Sequence, residues 1–138
     1  MEWESRERAK QLIAFDGMTY SDKNARPMDI DLAMDAHRGN VFVLGEIKYN
    51  GKEVPTGQRW FLFNFVNAMR FAGKHAIAMI LDHDIIDANI DVQAAQCKVR
   101  EYITTETIKF GWSTPKREYT CDEMIKDYLA LVDTSAPF

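Results

Sequence analysis

Cysteine is scarce in this chain: there are two, Cys97 and Cys121, far apart and without C-x-x-C spacing. That weighs heavily against a disulfide or a zinc site, and both thiols are expected to be reduced and buried. Proline numbers four and glycine seven, and no Pro/Gly/Ser-rich tract or internal repeat interrupts the chain. The 138 residues therefore read as one domain with its own core. Long apolar runs are missing too, since stretches such as Trp60–Phe63 and Ala76–Leu81 fall far short of a membrane span. The opening Met1-Glu2-Trp3-Glu4 lacks the basic-then-apolar order of a secretory signal. A soluble, intracellular, cytoplasmic protein without membrane partners is expected. Basic residues are also in deficit: 17 Lys and Arg against 21 Asp and Glu leave a net charge of −4. Nonspecific nucleic-acid binding normally shows the opposite balance. A carboxylate cluster that holds a divalent cation would offset that charge locally.

What is present is ordinary globular material, 46% apolar and 28% charged. Residues 2–14 are rich in helix formers and predict a first helix, and residues 15–20 a short strand. Met28 to Met34 alternates with period two, with Ile30, Leu32 and Met34 on one side and Asp29 and Asp31 on the other. His37-Arg38-Gly39-Asn40 is a turn signal. Val41 to Tyr49 follows, the strongest strand in the chain, and the two segments predict an antiparallel hairpin. After Pro55-Thr56-Gly57 a helix is expected over 58–72, ended by Gly73 and packed on the sheet with Trp60, Phe63 or Phe65 largely buried. A buried strand is predicted at 76–81, strands at 98–104 and 108–112, and a terminal helix opened by the capping box Thr120-x-x-Glu123. This order predicts an α/β protein with a mixed central sheet flanked by helices.

Glu46 and Lys48 are two apart on the apolar strand, so both side chains leave one face. A Glu and a Lys among Val, Phe and Leu are costly to bury without partners, and that local inconsistency marks a site. The hairpin partner brings Asp29 and Asp31. Two carboxylates and a strand carbonyl suit magnesium, which takes few protein ligands. A neighbouring lysine can orient or help deprotonate water for attack on phosphorus.

The ordered set Pro27-x-Asp29-Ile30-Asp31, Gly45-Glu46-Ile47-Lys48 and Gly57-Gln58 resembles the PD-(D/E)XK nuclease superfamily, in particular its small phage- and prophage-associated members. The resemblance covers about residues 15–82. It implies a restriction-endonuclease-like core of order αβββαβ over about 1–82, with accessory strands and a terminal helix over about 83–138. It further implies hydrolysis of nucleic-acid phosphodiesters, DNA above all, with Mg²⁺ or Mn²⁺. Asp31, Glu46 and Lys48 match the reactive centre, and Gln58 matches a glutamine that some subfamilies place beside it. Asp31, Glu46 and the Ile47 carbonyl would hold the metal, with Asp29 as a competing ligand. The alternative function is the same fold without turnover, binding DNA or a protein partner, a phage inhibitor of a host factor included. A homodimer would let two sites act on two strands.

Other residues have plainer readings. Glu4 and Glu7 suit a solvated helix face, and Asp82-His83-Asp84 a polar turn at a strand end. His37 and His75 lack partners at ligand spacing. The aromatics of 60–71 recur at helical spacing, as core residues do, rather than as a base-stacking platform. Arg59, Arg70 and Lys74 form the basic cluster expected near the site, open equally to two readings: contact with phosphates, or a solvated helix flank.

Overall fold

The computed structural model describes residue 16 and residues 30–133. The expected helix over 2–14, with Glu4 and Glu7, lies outside them, as do Asp29 and all but residue 16 of the stretch 15–20. The described chain forms β1 (Leu32–Asp35), β2 (Val41–Tyr49), α1 (Thr56–Phe71), β3 (His75–His83), β4 (Lys98–Thr104) and α2 (Cys121–Asp133). The four strands make one mixed sheet in the order β1-β2-β3-β4. The outer pairs are antiparallel and the central pair, β2 with β3, is parallel.

The hairpin closes at the predicted turn. Arg38 and Gly39 take positive φ values of 50° and 84°, and Asp35 Oδ1 accepts the Gly39 N–H at 2.8 Å. Helix α1 is the crossover that parallel pairing of β2 and β3 demands. It begins on Pro55, whose carbonyl accepts the N–H groups of Gln58 and Arg59. It ends at Gly73, with φ +74°, where Lys74 N–H returns to the Met69 carbonyl. Helix α2 opens with the predicted capping box: Thr120 N–H donates to Glu123 Oε1 at 3.0 Å, and Glu123 N–H to Thr120 Oγ1 at 3.2 Å.

The helices cover opposite faces. On one, Leu62 and Val66 of α1 pack against Leu44, Ala76, Ala78 and Ile103. On the other, Met124, Tyr128 and Val132 of α2 pack against Val41, Val43, Ile77 and Met79. Both cysteines are free and buried in this second layer.

Three expectations are corrected. Ile30 and Leu32 do not share a face: Ile30 joins the α1 layer and Leu32 the α2 layer, over Gly45. Alternation fails because the ladder stops at Leu32 and Asp31 lies in a bend. The α1 aromatics are less buried than their number suggests. Leu62 and Val66 are enclosed, Phe63 and Phe65 are half-buried, and Trp60 remains 58% exposed. The sheet covers one i, i+4 stripe of the helix, and apolar residues outside that stripe face water. Finally, residues 108–112 form no strand. Thr104 and Thr107 exchange hydroxyl–amide hydrogen bonds at 3.1 and 3.2 Å, closing a turn that a 3₁₀ segment (Ile108–Phe110) continues.

Candidate functional site

Asp31 and Glu46 meet because the hairpin register pairs Leu32 with Gly45, so one further step would set Asp31 opposite Glu46. Asp31 leaves the ladder there, and its Oδ2 accepts the Ile47 N–H at 2.7 Å. The carboxylate therefore lies across β2, beside Glu46. Lys48 shares the face of Glu46, and its Nζ sits 3.5 Å from Glu46 Oε1. Asp31 is exposed and Lys48 partly so, whereas Glu46 is only 4% exposed.

Burial, then the neighbouring Asp31 charge, push the Glu46 carboxyl up from 4.5 to about 7, against the pull of Lys48. Its Oε2 is buried and meets no donor among the described residues. Asp31 cannot satisfy that oxygen while both groups are ionised, since each carboxylate only accepts. Among the described residues one other buried side-chain oxygen is in the same position, Gln58 Oε1.

Helix geometry sets Gln58 at the same level. Gln58, Leu62 and Val66 follow at i, i+4 on the sheet-facing stripe, and Leu62 packs in the layer of Leu44. The next residue, Arg59, grips Glu101 with both terminal nitrogens. Glu101 pairs with Ile80, which pairs with Glu46. Glu46, Ile80 and Glu101 thus form one row across the sheet, with Asp31 beside its Glu46 end, and Arg59 ties the first turn of α1 to its Glu101 end.

Sequence reasoning misplaced the basic cluster. Arg59 is committed to Glu101 and also stacks 5.4 Å over the Trp112 ring. Arg70 and Lys74 lie at the opposite end of the sheet, because a crossover helix runs back against the strands it joins. Lys74 Nζ reaches Asn40, beside the start of β2. Asp82, read as part of a strand-end turn, proves to be the register partner of Lys48. Arg100 pairs with it and Gly51 N–H donates to it, and these bonds hold its carboxyl below the usual range despite burial. Only the parallel pairing of β2 with β3 brings Asp82 here, and nothing local in the sequence signals it.

The donor set fits a hard divalent cation. It offers the carboxylates of Asp31 and Glu46, with Glu46 Oε2 buried and lacking a donor among the described residues. Among the described residues no group of three or more His, Cys, Asp or Glu is gathered to hold a metal by carboxylate, imidazole or thiolate alone. Nor is any helix among them long and apolar enough to cross a membrane. No protein-family model, curated protein or solved structure matches the chain.

Proposed function

We propose that the chain is a metal-dependent nuclease of PD-(D/E)XK type, hydrolysing phosphodiesters of nucleic acid, DNA above all. The observation that carries this reading is the buried Glu46 beside Asp31 and Lys48, with Oε2 lacking a donor. A carboxylate placed so is costly unless a cation compensates it, and sites built for chemistry tolerate such cost. Asp31 and Glu46 would hold Mg²⁺ or Mn²⁺, with the Ile47 carbonyl and Gln58 beside them. The ion would supply charge stabilisation at the phosphoryl group. The Lys48 ammonium, three donors and no acceptor, holds the attacking water and a phosphoryl oxygen in line for displacement. Gln58 orients the same water from the helix side.

The deciding experiment incubates plasmid, linear duplex, single-stranded DNA and RNA with wild type and Lys48→Ala, in Mg²⁺, Mn²⁺ or chelator. Wild type should cleave only with metal. Lys48→Ala should lose at least about a hundredfold in rate, the usual scale of a positioned proton-transfer or charge-stabilising group, while retaining calorimetric Mn²⁺ binding. The pairing of Arg59 with Glu101 and the net charge of −4 favour a second reading, a nuclease-fold module that binds DNA or protein without turnover. Metal binding with no cleavage of any substrate would select it.

A further inference from the structure

Where β2 and β3 end, the chain leaves the sheet in two loops, and between them lies a cleft of about 560 Å³. That volume falls in the range of small-molecule sites and accepts a planar ring system. Ile85, Val92 and Cys97 give it apolar surface, and Asn50, Gln93 and Gln96 bring side-chain amides. Its charge is mainly negative: Asp84 and Asp91 line it, and its one lysine, Lys98, pairs with Glu118. Such a cleft repels a phosphate and favours a neutral ring that carries N–H donors.

Its position relative to Lys48 is fixed by register. Lys48 pairs with Asp82, which lines the cleft, so the Lys48 backbone stands one strand spacing, about 4.8 Å, from that of a cleft residue. The next pair is Tyr49 with His83, whose rings meet edge to face with centroids 5.4 Å apart. Tyr49 is 39% exposed, and Ile85 N–H donates to His83 Nδ1 at 3.2 Å, which holds the imidazole in place. The His83 ring, the side-chain amides of the cleft and a lysine on the neighbouring strand together match a nucleotide, with its base beyond the phosphate.

We propose that this cleft receives an unpaired nucleobase of the strand whose phosphodiester lies at Lys48. The substrate is then single-stranded or locally unwound, because a base held in a duplex stack cannot enter. The inference rests on the nuclease reading for the phosphate and on the cleft alone for the base.

The two are tested separately. Fluorescence anisotropy, with calcium in place of magnesium, would compare a labelled oligothymidylate, its abasic counterpart and a blunt duplex. Wild type should bind the intact single strand at least about tenfold tighter than either of the others, the scale of losing one stacked base. Gln93→Trp, which fills the cleft from an exposed position, should abolish that preference at an unchanged melting temperature. His83→Ala, removing the ring that lines the cleft, should weaken it and serves if Gln93→Trp does not fold. Equal affinity for intact and abasic strands, or a full preference in a folded Gln93→Trp protein, overturns the subsite. Metal-dependent cleavage that ignores the missing base also overturns it and leaves the nuclease standing. Base-dependent binding without cleavage supports the subsite and removes the nuclease.

Discussion

Replacing Glu46 with Gln keeps the shape of the side chain and removes its charge, which isolates what that charge costs the fold. The folded carboxyl titrates near 7 against 4.5 in the unfolded chain. A carboxyl raised in this way leaves the protein most stable when protonated; that stability is lost as pH rises from about 4.5 through about 7. Above pH 8 the penalty is on the order of 3 kcal/mol, and at pH 5 about 1 kcal/mol. With chelator present, Glu46→Gln should thus be more stable than wild type, by about 1 kcal/mol at pH 5 and about 3 kcal/mol at pH 8. Urea denaturation at the two pH values measures the gap, read as a shift in midpoint at constant slope. Magnesium at about a hundred times its Kd should return about 2.7 kcal/mol to wild type and almost nothing to the variant. A gap that stays constant with pH would refute the reasoning, because it would mean that Glu46 ionises freely. So would equal stabilisation of both proteins by magnesium.

Two further substitutions probe the frame around the site. Leu62→Ala should cost about 2–5 kcal/mol in chemical denaturation, whereas Phe63→Ala should cost less than the roughly 3–5 kcal/mol of a fully enclosed ring. The reverse ranking would mean that α1 is rotated on the sheet. A Cβ at Gly45 would already meet Leu32 Cδ2 and Leu81 Cδ1 at 3.3 Å, so the branched Gly45→Val should overpack this point. A loss of about 1–3 kcal/mol is expected. Because Leu32 adjoins Asp31, stabilisation by Mn²⁺ should fall as well, and wild-type behaviour in both assays would show that Leu32 does not position Asp31.

The parts of this fold legible in the sequence are those specified by neighbours in the chain. The hairpin turn at 37–40, the apolar strand carrying Glu46 and Lys48, the strand over 98–104, the glycine stop at 73 and the box at Thr120 all act within a few residues. What was not legible depends on partners far away. Ile30 departs from alternation because Asp31 bonds Ile47, 16 residues on. Arg59 is withdrawn by Glu101, 42 residues on. The aromatic run of α1 states how apolar the helix is, not how wide a stripe the sheet will cover. Arg70 and Lys74 looked close to Gln58 along the chain, but the helix carries them to the far end of the sheet. For the candidate site, residue types were readable and surroundings were not: Asp82 stands beside Lys48 only through parallel pairing.

The bond from Ile47 N–H to Asp31 Oδ2 also bears on how the site comes apart. β1 is the outer strand of the described sheet and only four residues long, and Asp31 lies just past its end. Separation there exposes the Ile47 amide and frees the Asp31 carboxylate in one event, without disturbing the buried centre of β2 and β3. Strand ends of this kind open at a small fraction of the global unfolding free energy. The centre therefore has two halves of unequal permanence: Glu46, fixed in the core, and Asp31, which comes and goes with the fraying of an edge. The exchange rate of a single backbone proton, that of Ile47, counts how often both halves are present together.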